Sequence, residues 1–149
     1  MPDPAPLALD EEILEAVGSA LETGNVITVA YVDADGWAHL SRRGTTQVLD
    51  DRTLALWVRK RDEGLAASIP ERPEVTLQYF DLAQRGVVYT FYGHARVAHT
   101  PEVVEQVWNG SPEREQLQDP DRGGVAVVVD LVRVVAQGRR PERNFVMQR

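Results

Sequence analysis

The first patterned segment of the chain is an apolar stripe at helical spacing. It follows Asp10 and consists of Ile13, Leu14, Val17 and Leu21. Because these residues fall on one face of a helix and aspartate is a frequent N-cap, the spacing predicts a helix that begins after Asp10 and ends at Gly24. The preceding residues 1–9 hold three prolines and predict a loose lead-in.

Strand-like runs dominate the rest of the sequence. β-Branched and aromatic residues concentrate between turn residues in seven runs, at 26–32, 37–41, 45–49, 53–59, 75–80, 86–97 and 125–137. The run at 86–97 is long enough to bend at Gly93. Seven strands predict a mainly β domain over residues 10–149, built as a closed or partly closed antiparallel barrel with peripheral helices.

Short helices are predicted between the strands, at 62–69 with Asp62 as the cap, after Thr100 with Pro101 in the first turn, and at 111–118. The last segment, 138–149, is basic with a short apolar patch and predicts no regular element.

Composition narrows the possible classes. At 149 residues one domain is expected, and the absence of cysteine excludes disulfide scaffolds, thiolate metal sites and thiol nucleophiles. No apolar run approaches the roughly 20 residues of a membrane span, and the start of the chain lacks the pattern of a signal peptide. We therefore expect a cytoplasmic protein that does not bind a membrane.

Common catalytic motifs are missing from the sequence. It contains no G-x-S-x-G, G-x-G-x-x-G or P-loop pattern, and His39, His94 and His99 lack the spacing of a metal site. No metal is expected, and no side chain is identified as a catalytic acid or base.

The charge distribution singles out one region. The net charge is −7, yet residues 39–61 hold six basic residues against two acidic ones, with Arg42, Arg43 and the run 59–61 at predicted strand ends. Because arginine binds phosphate oxygens bidentately, one interpretation is a phosphorylated ligand; the other is a set of solvated strand ends that pair with nearby carboxylates. A nucleic-acid partner is not expected, because the isoelectric point is near 4.9 and the basic segment is short.

Three segments, in their order along the chain, resemble a known family. They are Leu56-Trp57-Val58-Arg59-Lys60, the proline-then-strand element Arg72–Tyr79, and the strand Phe91-Tyr92-Gly93-His94-Ala95-Arg96-Val97. Over residues 8–137 the chain resembles the pyridoxamine 5′-phosphate oxidase-like family. The resemblance implies a split β-barrel, a homodimer, and FMN in the groove between the protomers.

The resemblance also implies cofactor-binding residues. It implies that Arg42 lies toward the flavin, that Trp57 and Val58 offer backbone contacts to its ring, and that the phosphate is held by Arg59, Lys60 or Arg61. The partner chain would contribute from the segment that includes Gln78 and Tyr79, and from the basic C-terminal segment. Apolar residues on both faces of the 125–135 strand fit burial against such a partner.

Two departures from the family pattern limit the functional expectation. Asp62-Glu63-Gly64-Leu65 replaces a serine-x-lysine pattern, and the C-terminus lacks the arginine and histidine that hold pyridoxal phosphate in the true oxidase. We expect a flavin-dependent oxidoreductase that binds FMN, or alternatively the deazaflavin coenzyme or haem, and acts on a small organic substrate. The alternative is a redox-inactive dimer that serves as a ligand-binding or accessory protein.

Overall fold

The computed structural model describes residues 2–149 and folds them mainly into β-strands. The strands are β1 (Ala5–Pro6), β2 (Thr28–Val32), β3 (Ala38–Arg42), β4 (Gln47–Asp50), β5 (Thr53–Val58), β6 (Glu74–Asp81), β7 (Val87–Val97), β8 (Val125–Gly138) and β9 (Phe145–Gln148). The helices are α1 (Glu11–Gly18), α2 (Gly64–Ser68), α3 (Pro101–Asn109), α4 (Glu113–Gln116) and a 3-10 turn at Pro141–Arg143. Within this described part of the chain, no helix is long and apolar enough to cross a membrane.

All nine strands belong to one sheet that curls around a single apolar interior. Its order is β1-β9-β8-β7-β6-β2-β3, and β5 pairs with β8 and carries β4 on its other side. Every pairing is antiparallel except β1 with β9. The predicted fold class, mainly β with peripheral helices around a split barrel, is confirmed.

The pairing of the two longest strands is irregular at Gly93. The β7–β8 register shifts between Tyr92 and Gly93, and a Cβ atom at Gly93 would lie 2.7 Å from the carbonyl oxygen of Asp130. Only glycine permits so close an approach of two backbones. The register shift lies at the position where the sequence predicts a bend.

Helix α1 begins where the sequence predicts and ends earlier. The Asp10 carboxylate accepts a 2.9 Å hydrogen bond from the Ile13 amide, which confirms the predicted N-cap. The helix stops at Gly18, six residues before the predicted end. Beyond it, the hydroxyls of Ser19 and Thr23 donate to backbone carbonyls three and four residues back, a competition that favours turns over a continued helix.

The two ends of the chain are more ordered than the sequence predicts. The lead-in is not loose, because Leu7 is only 2% exposed, Leu9 is also buried, and β1 pairs with β9. Met1 lies outside the described residues. Strand β9, inside the segment for which no element was predicted, buries Val146 and Met147. Strands of two and four residues are too short to show a periodicity in the sequence.

Strand β8 is buried on both faces within a single chain. Val127 and Val129 lie in the barrel interior, whereas Ala126 and Val128 pack in a second cluster with residues of α3, among them Trp108. The inference that a partner chain covers the second face of this strand is therefore wrong, because α3 covers it.

Candidate functional site

A cavity of about 680 Å³ opens where β3 and β5 end. We call it the β3–β5 cavity, and its lining residues are Ser41, Arg42, Arg43, Val58, Arg59, Lys60, Glu63, Gly64, Leu65, Gln118 and Asp119. Of the residues predicted to bind a cofactor, Arg42, Val58, Arg59 and Lys60 line it. The strand-end cations that are separated in sequence thus meet around one cavity.

Arg43 is the most enclosed cation of the β3–β5 cavity. Its backbone is fixed, because its amide donates to the Ile27 carbonyl at 2.8 Å and its own carbonyl accepts from the Thr46 hydroxyl at 2.8 Å. Its Nε donates to the Ser41 hydroxyl at 3.0 Å. Burial lowers the pKa of the Arg43 guanidinium, Tyr31 offsets part of that effect and Arg59 adds to it, but an arginine still keeps its proton at neutral pH.

Most of the positive charge in this cavity has no carboxylate partner. Among the ion pairs formed by residues 2–149, none includes Arg42, Arg43 or Arg59. Lys60 differs, since its ammonium lies 2.9 Å from Glu63 in a solvent-exposed pair. The hydrogen bond from Lys60 lowers the pKa of Glu63, so that carboxylate is ionised and offsets the lysine. Arg42, Arg43 and Arg59 therefore form no ion pair, although the Asp119 carboxylate lines the same cavity and Arg59 helps to lower its pKa.

The carboxylate of Asp119 stabilises the wall of the β3–β5 cavity through hydrogen bonds. One oxygen accepts from the Trp57 indole at 2.8 Å and from the Gly124 amide at 2.9 Å, and the other accepts from the Gly123 amide at 2.9 Å. Although burial alone would raise the pKa of Asp119, these hydrogen bonds lower it below its ordinary value of 3.8. With both oxygens accepting from the protein, Asp119 opposes a bound anion less than a free carboxylate would.

Trp57 lies beside the cavity. Its backbone amide donates to the Thr45 hydroxyl at 2.9 Å, and the same hydroxyl donates to the Trp57 carbonyl at 2.9 Å. Both backbone groups of Trp57 therefore already have a hydrogen-bond partner in the protein, and the expected contact of this backbone with a flavin ring stays a prediction. A smaller cavity of about 190 Å³, which shares Arg42, Arg43 and Arg59 with the β3–β5 cavity, is lined in addition by Gly44, Thr45, Trp57 and Glu115.

The other predicted site residues lie apart from the β3–β5 cavity. Arg61 is exposed and does not line it. Tyr79 is 0% exposed inside the barrel, so its side chain cannot reach a cofactor at the surface, which corrects that prediction. Gln78 points outward, donates to Thr90 at 3.2 Å, and lies two strands from Arg42 in one cross-strand row.

The structure also corrects the expectation for Asp62 and α2. The N-cap position belongs to Glu63, which makes no side-chain hydrogen bond to the helix. Because α2 has only five residues, its few aligned peptides add little positive potential, and the helix start contributes little to anion binding. Anion binding here rests on side chains.

Several cavity residues were not identified from the sequence. Arg43 is not one of them, because it belongs to the basic stretch for which the sequence suggests a phosphorylated ligand, but its distinguishing property, burial, depends on tertiary structure. Gln118 and Asp119 come from a polar loop some 60 residues further along, and no local pattern connects them with β5. The described part of the chain, 2–149, contains no cluster of three or more metal-ligating side chains.

The cavity fits a ligand that carries a phosphate. An unpaired, half-buried guanidinium is costly to desolvate, and an oxyanion would offset that cost. Two further arginines and the Ser41 hydroxyl provide additional donors at the same rim. FMN and the deazaflavin coenzyme have such a group, so the residues present suit the cofactors that the resemblance implies.

Comparison with known proteins adds evidence on the fold. No protein-family model matches the chain, and no curated protein matches it. Among solved structures, it is similar to a conserved hypothetical protein from Mycobacterium tuberculosis, with 22% identity and a TM-score of 0.68 over 94% of this chain and 91% of that one.

Two further solved structures are similar to this chain. A Clostridium acetobutylicum protein related to general stress protein 26, of the pyridoxinephosphate oxidase family, shares 13% identity with a TM-score of 0.67 over 94% of this chain and 96% of that one. An FMN-binding protein from Syntrophomonas wolfei subsp. wolfei shares 14% identity with a TM-score of 0.65 over 88% and 90%. The chain therefore has the split-barrel fold of the pyridoxamine 5′-phosphate oxidase-like, FMN-binding proteins.

Proposed function

We propose that this protein is a homodimeric flavin-binding oxidoreductase that holds the phosphate of FMN in the β3–β5 cavity and acts on a small organic substrate. The observation that carries the proposal is Arg43, a half-buried cation at the cavity wall with no carboxylate partner among residues 2–149. A site that keeps such a charge desolvated is suited to an anionic ligand.

Three arginines would hold the phosphate. Arg43 supplies an enclosed, positionally fixed charge, while Arg42 and Arg59 lie at the rim and are exposed. The Ser41 hydroxyl, already bonded to the Nε atom of Arg43, orients the guanidinium fork. When bound, a flavin supplies two-electron redox chemistry, and the protein contributes its position and its electrostatic surroundings.

A second copy of this chain would complete the site. The outer face of β2, β3, β6 and β7 exposes apolar side chains, among them Leu40 at 74% and Phe80 at 55%. Leu40 lies in one cross-strand row with Ala30, Thr76 and Tyr92. Exposed apolar patches of this kind favour association, and this one continues along β3 into the cavity rim at Arg42. A second protomer that binds this face would form the other side of the groove beside the β3–β5 cavity.

The experiment that tests the proposal is spectroscopic. Protein purified from cells is examined for visible absorption, then titrated in its colourless form with FMN, the deazaflavin coenzyme and haem. We expect saturable binding of FMN or deazaflavin and reversible reduction of the bound cofactor. Failure of all three to bind would overturn the proposal. If only haem binds, the cofactor of the proposal becomes haem. If a flavin binds but passes electrons to no acceptor, the redox-inactive alternative is favoured.

A further inference from the structure

A second cavity lies at the opposite end of β8. It has a volume of about 250 Å³, and we call it the turn cavity; its lining residues are Leu82, Gln84, Arg85, Gly86, Arg139, Arg140 and Arg143. Four of these seven residues are arginines, and none is acidic. The turn cavity shares no residue with the β3–β5 cavity, which adjoins the first residues of β8 through the Val58–Val125 pair.

Two turns that bond to each other build the walls of the turn cavity. Residues 82–86 connect β6 to β7, and residues 139–144 connect β8 to β9. The Arg139 amide donates to the Gly86 carbonyl at 3.1 Å, and the Arg143 guanidinium donates to the Arg85 carbonyl. The walls are therefore held in one arrangement before any ligand arrives.

Each turn is also fixed internally. The buried Asp81 carboxylate accepts from the amides of Gln84 at 2.9 Å and Arg85 at 3.2 Å. In the other turn, the Asn144 side chain bonds both backbone groups of Gly138 and the carbonyl of Arg140. Such fixed turns place the arginine side chains at a defined junction and lower the entropy cost of binding.

Of the four arginines in the turn cavity, two form ion pairs and two do not. Arg85 pairs with Glu15 at 3.3 Å and Arg143 pairs with Glu12 at 2.8 Å, so α1 neutralises these two. Arg139 and Arg140 are exposed and take part in none of the ion pairs formed by residues 2–149. Their charge remains available to a ligand.

We propose that the turn cavity is a second oxyanion site, which binds the phosphate or diphosphate group of a small molecule through Arg139 and Arg140. Arginine forks match the oxygens of such groups. The small volume and the acidic α1 beside it, with Glu11, Glu12 and Glu15, disfavour an extended polyanion. Within one chain, the turn cavity shares no lining residue with the β3–β5 cavity, where the flavin phosphate is proposed to bind.

The test measures pyrophosphate and inorganic phosphate binding by calorimetry, with backbone-amide NMR shifts to locate the site. To remove anion binding in the β3–β5 cavity, every phosphate and pyrophosphate titration uses protein that carries Arg43→Gln. The test variant adds Arg139→Gln and Arg140→Gln, which break no ion pair of the described residues. The matched control adds Arg52→Gln and Arg114→Gln, two exposed arginines that line neither cavity.

We expect saturable binding of one anion per chain, shifts at Gly86 and Gly138, and affinity weakened about tenfold or more by the test variant but within about twofold in the control. Anion binding that persists in protein carrying Arg43→Gln, which lacks the central residue of the flavin proposal, separates this site from that proposal. Absence of saturable anion binding, equal weakening by both double substitutions, or shifts confined to the β3–β5 cavity would each overturn the inference.

Discussion

The indole nitrogen of Trp57 donates a 2.8 Å hydrogen bond to the carboxylate of Asp119, which joins the end of β5 to the loop that precedes β8. The same carboxylate accepts from two amides of that loop, Gly123 and Gly124. This one side chain therefore holds a wall of the β3–β5 cavity.

Replacement of Asp119 by alanine removes the acceptor for three N–H donors. We expect the free energy of unfolding to fall by about 1–3 kcal/mol, because donors in a partly buried place lose their partner. Asp119→Asn, which keeps one acceptor oxygen, should lose less. Chemical denaturation measures both variants. Equal stability of Asp119→Ala and wild type would show that these hydrogen bonds contribute nothing.

The same residue predicts a dependence of stability on pH. Because the folded-state pKa of Asp119 lies below its ordinary value of 3.8, ionisation favours the folded protein. That stabilisation is complete above the unfolded-state value and is lost as the pH falls through the folded-state value. The stability difference between wild type and Asp119→Asn should therefore be larger at about pH 6 than at about pH 2.5. A constant difference would contradict the lowered pKa.

Thr45 predicts a second effect on the cavity wall. Its hydroxyl both accepts from and donates to the backbone of Trp57, and it is buried. Thr45→Val keeps the shape and removes both hydrogen bonds, so we expect a loss of about 1–3 kcal/mol in unfolding free energy. Thr45→Ser, which keeps the hydroxyl, is the control. Similar stabilities for the valine and serine variants would contradict the prediction.

Gly123 and Gly124 are adjacent in the loop before β8 but differ in how closely they pack against their surroundings. A Cβ atom at Gly124 would lie 2.3 Å from the Val58 carbonyl oxygen, whereas a Cβ at Gly123 would lie 3.6 Å from the Asp119 carboxylate. We expect Gly124→Ala to push the loop away from β5, to destabilise the fold by about 1–3 kcal/mol and to weaken flavin binding. Gly123→Ala should change neither property. Denaturation and flavin titration measure both, and normal behaviour of Gly124→Ala would refute the close packing.

The proposed dimer face predicts an effect on assembly. Leu40→Glu places a charge on an exposed apolar row without disturbing the barrel interior. We expect wild-type protein to sediment as a dimer and Leu40→Glu as a folded monomer, while Leu14→Glu, on α1 and away from this face, stays dimeric. A monomeric wild type, or a dimer that tolerates Leu40→Glu, would rule out this face.

The sequence predicts the long elements and misses the short strands near the two chain ends, β1 and β9. β5, β6, β7 and β8 have strong β-branched and aromatic patterns, whereas β9 is held by pairing with β8 and by burial of Val146, and β1 by pairing with β9 and by burial of the following Leu7. The apolar character of β8 on both faces is visible in the sequence, but its cause is not. Whether a helix of the same chain or a second copy covers a strand depends on tertiary packing.

The site is predicted in outline only. The strand-end cations are visible as a charge surplus, and Arg42, Val58, Arg59 and Lys60 do meet at one cavity. The sequence does not distinguish Arg43 from Arg42, because they are adjacent and only the fold buries one. The orientation of Tyr79 follows from strand alternation once the barrel interior is known.

The most direct test of the central claim is a comparison of FMN with riboflavin, which differ by the phosphate alone. We predict that wild-type protein binds FMN at least about tenfold more tightly than riboflavin, because Arg43 and its neighbours bind the phosphate. Arg43→Gln should lose this preference and Arg52→Gln should keep it. Equal affinity of wild-type protein for the two flavins would contradict the account.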